Sequence, residues 1–187
     1  FTIIALDKNG VIQSFNKTAE KLLGYSAEEM IGNPNPPFHD AAELHQRTKK
    51  LNEELGTNFK TGIDTFIGKI NLTKKPDEYE LTYISKSGER IPILLSASPI
   101  FDEAGEISGY LGIGLDLRER KRALDTRKEY EQFFSLSVDM LCIAGLDGYF
   151  KKVNPAFKRT LGFTEDDLTN KPFIEFVHPE DIDNTLK

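Results

Sequence analysis

The sequence predicts an α+β protein: a five-stranded antiparallel sheet flanked by short helices, then a helical linker, then the N-terminal part of a second copy of the same unit. Three observations lead there. The chain repeats itself without a gap, so that Gly10, Asn16, Leu23, Gly24 and Pro34 stand over Gly148, Asn154, Leu161, Gly162 and Pro172. Near the start of each copy an apolar run meets Asn9-Gly10 or Asp147-Gly148, a strong short-range signal of a hairpin turn. Between the copies, three stretches alternate with the period of two that a half-buried strand requires: Tyr79, Leu81, Tyr83, then Ile91, Ile93, Leu95, Ala97, then Leu111, Ile113, Leu115.

In chain order, residues 2–6 and 11–15 form the first hairpin, and residues 140–144 and 149–153 repeat it. Asn16 and Asn154 then stand where a helix N-cap is expected, with Pro155 at a first helical position that suits its missing N–H. Leu22 and Leu23 supply the buried face of that helix, and Gly24 or Gly162 ends it. Ser26 with Glu29, and Thr164 with Asp167, have the spacing of a capping box. In the first copy alone, Asp40 with Glu43 opens a helix over 40–55 that Gly56 closes, and a shorter helix follows over 64–69. Ser87-Gly88 and Glu103-Ala104-Gly105 are the turns between the last three strands. The boundaries predicted are 1–117 for the first domain, 118–137 for a helical linker and 138–187 for the second.

Composition limits the function. With 39% hydrophobic and 29% charged residues, the 187-residue chain can supply a core and does not read as disordered. A net charge of −6 argues against nucleic acid, whose non-specific binding depends on clustered Lys and Arg. The lone Cys142 offers neither an internal disulfide nor a zinc spacing, which suits a reducing compartment. No stretch has the length and apolarity of a membrane span. The chain reads as an excised, cytoplasmic piece of a longer protein that is free to be membrane-anchored elsewhere, without membrane contact from this part.

The stretches DKNGVIQSFNKTAEKLLGYSAEEMIG, ELTYISKSGERIPILLSASPIFDEAGEISGYLGIGLDLRERK and DMLCIAGLDGYFKKVNPAFKRTLGFTEDDLTNKPFIEFVHPEDI resemble PAS sensor domains, as found in bacterial histidine kinases, two-component systems and diguanylate cyclases. The resemblance covers nearly the whole chain. It implies a PAS-like sheet cupping a small pocket, with the last strand joined to a signalling helix. GLDLRERK is similar to the family's Asp-Ile-Thr-Glu-Arg-Lys exit motif, with Asp116 at the Asp position and Arg118 in place of Thr. That exchange predicts fewer local partners for Asp116. It also makes Asp116, Arg118 and Leu124 the expected relay residues.

The residues that cofactor-binding relatives need are absent. Cys142 lies on a first strand, outside any flavin-thiol helix motif, and reads as half-buried and structural; there is no Trp; and no His falls in residues 64–69. His39, His45 and His178 read as solvated or capping, with no convincing metal spacing. Ser85, Ser87, Ser96 and Ser98 have no His near them in sequence, and Gly112-Ile113-Gly114 lies inside a strand, so no enzyme site is expected. Phe66, Ile67, Tyr83, Ile93, Leu95, Ile113 and Leu115 are the pocket candidates, and they equally read as a dry core in which they fill one another. No cofactor is expected; an unidentified small apolar molecule or metabolite is the ligand class left open. The function expected is a non-catalytic sensory module, homodimeric, that relays a conformational change to an effector domain in the same chain. The alternative is a ligand-free scaffold for dimerisation or protein–protein contact.

Overall fold

Asp7 shows how local sequence sets the first hairpin. Its carboxylate accepts the N–H groups of Asn9 at 2.8 Å and Val11 at 3.0 Å, and Gly10 takes the left-handed conformation, φ 84°, that the turn needs. Strands β1 (Thr2–Asp7) and β2 (Ile12–Phe15) pair across it. The computed structural model describes residues 1–34 and 36–185. The chain divides into two compact units, Phe1–Arg120 and Lys121–Lys187.

In the first unit, helix α1 (Lys17–Leu23) starts at Asn16 and ends on left-handed Gly24, and α2 (Ala27–Met30) carries the complete Ser26–Glu29 capping box. Asp40 caps α3 (Ala41–Leu55) through the N–H groups of Ala42 and Glu43. Helix α4 (Asp64–Thr73) runs on past the predicted stretch to Thr73 and ends on Lys74, the one non-glycine residue with positive φ among those described. Strands β3 (Asp77–Ile84), β4 (Arg90–Phe101) and β5 (Ile107–Asp116) follow, and the sheet order is β2-β1-β5-β4-β3. All pairings are antiparallel. The two chain-distant edges of the pattern meet where β1 pairs β5, Thr2 opposite Gly114 and Ile4 opposite Gly112.

The core lies on one face of this sheet, where Ile4, Phe15, Leu81, Tyr83, Ile91, Ile93 and Leu95 pack with Leu23, Met30 and Phe38. An ionic junction ties the helices to the edge strand. Buried Asp77 of β3 accepts from Arg47 Nη2 of α3 at 2.5 Å and Lys69 Nζ of α4 at 2.6 Å.

Helix α5 (Arg118–Leu136) begins within the first unit and continues into the second. The second unit repeats the first hairpin and its helices: β6 (Cys142–Ala144), β7 (Phe150–Val153), α6 (Pro155–Leu161) and α7 (Glu165–Thr169), the last with the Thr164–Asp167 capping box. The two asparagines at the helix starts tie the chain before the hairpin in the same way, although only Asn16 also caps its helix, by accepting the Ala19 N–H; Asn154 makes no side-chain cap bond, which corrects that expectation. Asn16 accepts the Ile3 N–H and donates to the Phe1 carbonyl; Asn154 accepts the Leu141 N–H and donates to the Asp139 carbonyl. Val153, Phe157 and Leu168 form the second unit's small core. Cys142 is exposed, which corrects the half-buried expectation: β6 pairs with β7 alone among the described strands, and all three of its residues are open to solvent.

Candidate functional site

Between the sheet and the helices of the first unit lies a cavity of about 60 Å³. Strand residues Ile4, Leu6, Ile12, Tyr83, Leu95, Ala97 and Tyr110 to Gly112 line one side. Pro36, Phe38 and His39 of the segment before α3, and Phe66 and Ile67 of α4, line the other. A wider outer pocket of about 230 Å³ shares Leu6, Pro36, His39 and Phe66 with it, so these four residues form a common wall.

His39 is held in that wall by backbone as well as by packing. The Ile84 N–H donates to the Phe38 carbonyl at 2.8 Å, and His39 itself bridges Tyr83 across the end of β3. On its other side Asp40 is anchored as the α3 cap. The imidazole therefore lies among the rings of Phe38, Phe66 and Tyr83, at centroid distances of 4.5, 4.6 and 5.3 Å. Burial of the ring pushes its pKa down to about 3, against the pull of the nearby Pro36 carbonyl, which favours the protonated form. Desolvation is the larger of the two effects. His39 is neutral at physiological pH, and the solvated or capping expectation for it is corrected. His178 does cap, accepting the Glu180 N–H at 3.4 Å, while His45 lies on α3 near Thr61. Among the described residues no group of His, Cys, Asp and Glu could hold a metal ion.

The remaining polar groups of the lining are tyrosines. Tyr110 donates to Asn71 Oδ1 at 2.6 Å, and burial raises the pKa of both Tyr110 and Tyr83, keeping their hydroxyls protonated. No lining side chain carries a charge at neutral pH. The cavity suits an uncharged occupant.

Of the pocket candidates, Phe66, Ile67, Tyr83 and Leu95 lie in the lining, and Ile93 sits in the packed core beside them. Ile113 and Leu115 lie on the opposite face of the sheet, each 37% exposed, and are removed from the pocket. The alternation on β5 is real, but its inward set is Tyr110, Gly112 and Gly114, opposite Leu6, Ile4 and Thr2. The reason is steric. At Gly114 a Cβ would overlap Thr2 Oγ1 and crowd Ile93, so apolar side chains can only occupy the other face here. His39 and Gly112 are the residues that sequence reasoning missed; three prolines at 34, 36 and 37 before Phe38-His39 were the available sign of a rigid, positioned segment.

At the far end of β5 the relay candidates form a clasp. Asp116 Oδ1 accepts the Arg118 N–H at 2.9 Å, while the Arg118 guanidinium donates to Asp116 Oδ2 at 2.6 Å and to Glu89 Oε1 at 2.6 Å. Arg118 thus supplies partners to Asp116, and the expectation of fewer partners is reversed. The Asp116 carboxylate, and after it Glu89, hold the guanidinium more firmly protonated than usual. Buried Leu117 adds a backbone bond to the Pro92 carbonyl at 2.9 Å, whereas Leu124 is half exposed on α5.

The PAS domain family matches residues 1–119 and, through a second family model also described as PAS domain, residues 128–186. No curated protein matches the sequence. Similar solved structures include the PAS domain of a protein from Colwellia psychrerythraea, 25% identical, covering 62% of this chain and 84% of that one, TM-score 0.43. A variant of RsLOV is 14% identical, covering 62% and 60%, TM-score 0.46. A light-oxygen-voltage domain from work with a flavin analogue is 17% identical, covering 70% and 87%, TM-score 0.43.

Proposed function

Because the chain belongs to the PAS domain family, we propose that it is a non-catalytic sensory module in which a small uncharged ligand, held in the first unit, biases the strand-to-helix junction and through α5 an effector domain of the same protein. The observation that carries this reading is the uncharged cavity beneath α4 and His39. β5 contributes both its lining, at Tyr110 to Gly112, and the Asp116–Arg118–Glu89 clasp, so one strand connects the ligand to the helix that leaves the domain. A ligand acts this way only by binding two arrangements of the strand unequally. We propose a second PAS domain after α5, a homodimeric assembly and a cytoplasmic setting in a bacterial sensor such as a histidine kinase or diguanylate cyclase. No helix among the described residues is long and apolar enough to cross a membrane.

The size of the inner cavity argues against flavin or haem, since about 60 Å³ is well under the ~150 Å³ that takes benzene in an engineered core. Native mass spectrometry and an absorption spectrum of freshly purified protein test the proposal together. A retained small molecule without a flavin or Soret band is the expected result, and a visible chromophore would sink it. One observation favours a scaffold instead: the outer sheet face exposes Ile3, Ile113 and Leu115, an apolar strip on which a second copy would pack. A clean ligand-free dimer supports that alternative.

A further inference from the structure

We propose that the second unit carries a binding site for a small aromatic carboxylate, set between the end of α5, the β7–α6 junction and the start of α7, with Lys152 and Lys158 as its anion-binding groups. All of its residues belong to the second unit, and it does not depend on the ligand-sensing reading of the first.

Three observations carry it. First, a pocket of about 320 Å³ lies there, within the range of small-molecule sites, whereas the inner cavity of the first unit, about 60 Å³, is below that range. Phe134, Phe157 and Phe163 give it aromatic walls, and Lys152, Lys158 and Glu165 carry its charges. The walls are braced from behind: Phe157 meets Phe150 at 5.8 Å and Phe163 meets Phe176 at 5.3 Å, both edge-on. Arg159 donates to the Ser137 carbonyl at 2.9 Å and so holds the chain just past Phe134. Second, neither lysine has a carboxylate partner among the described residues. Lys152 Nζ stands instead 5.0 Å from the Phe134 ring and 5.8 Å from that of Tyr130, which places its charge at the aromatic wall. Two ammonium groups against the single carboxylate of Glu165 leave the lining with a surplus of one positive charge. A ligand that presents a ring to the phenylalanines and a carboxylate to the ammonium groups matches both features. Third, the first repeat shows what closes the same place. At one constant offset, Lys17, Glu20, Tyr25 and Ala27 stand where the second unit has Pro155, Lys158, Phe163 and Glu165. Glu20 accepts the Ala27 N–H at 2.8 Å and pairs with Lys17 at 2.6 Å, bridging α1 to α2, and Tyr25 packs against the first core. Lysine at 158 has no acceptor and proline at 155 no ammonium, so that bridge cannot form in the second unit, and Phe163 is left 41% exposed.

The site also has a consequence for α5. Phe134 is the buried residue of that helix, 5% exposed, and it lines the pocket. An occupant therefore touches α5 directly and steadies its end in the second unit.

The test uses the full chain with benzoate and phenylacetate as probes, benzyl alcohol as the neutral analogue and benzylamine as the cationic one, followed by ¹H–¹⁵N and lysine ¹H–¹³C NMR. The carboxylates should bind about tenfold more tightly than benzyl alcohol, the factor that one charge-assisted hydrogen bond supplies, and benzylamine should bind least. Shifts should centre on Phe134, Phe163 and the Lys158 side chain, and hydrogen exchange over residues 130–136 should slow. Lys158→Gln, at an exposed position and checked for folding by its amide spectrum, should bring the carboxylates down to the level of benzyl alcohol. Glu165→Gln should tighten them several-fold. Lys151→Gln, which removes an ammonium paired with Asp147 outside the pocket, should change nothing. Benzoate and phenylacetate binding no tighter than benzyl alcohol, or Lys151→Gln acting as strongly as Lys158→Gln, overturns the anion-selective site. Absence of shifts around Phe134 and Phe163 with every probe overturns the pocket as a site, and binding without slower exchange over 130–136 overturns its effect on α5. None of these outcomes touches the ligand-sensing reading of the first unit, which the retained-ligand measurement decides.

Discussion

His39 concentrates the residue-scale physics of this protein. Its folded pKa, about 3, lies below the ~6.5 of an unfolded histidine, so below pH ~6.5 the unfolded chain takes up a proton that the native state refuses. The stability that His39 contributes as a neutral ring is complete above that pH and is lost as pH falls toward 3. The slope reaches at most ~1.4 kcal/mol per pH unit, or about 2 kcal/mol by pH 5. Urea titrations between pH 7 and 5 should show this decline in the first unit, and His39→Phe should flatten it; an unchanged slope in the variant would place the effect elsewhere. The carboxylates with lowered pKa, such as Asp40 and Glu29, act below this window, because their stability is lost only as pH falls through the acid range. Leu95 gives a second residue-scale expectation. It is 5% exposed and lines the cavity, so Leu95→Asp removes apolar burial and inserts an unpaired charge, a loss of about 4 kcal/mol. Glu80→Lys, on the exposed face of β3, should change stability by less than ~1 kcal/mol. Comparable losses in the two variants would contradict the strand register.

Among the elements, the junction of β5 and α5 is where sequence reasoning and structure differ most usefully. Arginine in place of threonine gives Asp116 a bidentate partner and reaches across to Glu89 beside the β3–β4 turn. A fork of planar donors holds a carboxylate at a fixed angle, which one hydroxyl does not do. Asp116→Ala should therefore leave the first unit folded and lower hydrogen-exchange protection over residues 117–124, at a cost of about 1–2 kcal/mol to the junction. In a double-mutant cycle, Asp116→Ala and Arg118→Ala should be strongly non-additive, whereas Glu89→Ala should cost less, since its side chain is the more exposed. Additive losses, with protection of 117–124 unchanged, would remove the clasp from the proposed relay.

On the scale of the whole chain, the two units differ in how much core they possess. The first closes a five-stranded sheet over a large apolar cluster; the second rests on Val153, Phe157 and Leu168, with Ile143, Leu161 and Phe163 left exposed. Burial scales with closure of the sheet, so the second unit should open at lower denaturant than the first. Hydrogen exchange across a urea titration should resolve two transitions, with residues 142–177 losing protection first. A single cooperative transition would contradict this.

Turn, cap and repeat signals are local, and local sequence determined them. Gly10, Asn16, Gly24, the Ser26–Glu29 and Thr164–Asp167 boxes and the period of each strand depend on a few adjacent residues and on backbone sterics. The family followed from the same signals. Which face of β5 turns inward did not: alternation sets two faces and does not label them, and only the pairing of β5 with β1 and β4, with Thr2 and Ile93 crowding Gly114, puts the glycines inside and Ile113 and Leu115 outside. His39 was illegible for a related reason. One imidazole in a proline-rich loop carries no period, and its surroundings come from Tyr83 and Phe66, residues far along the chain that only tertiary folding brings to it.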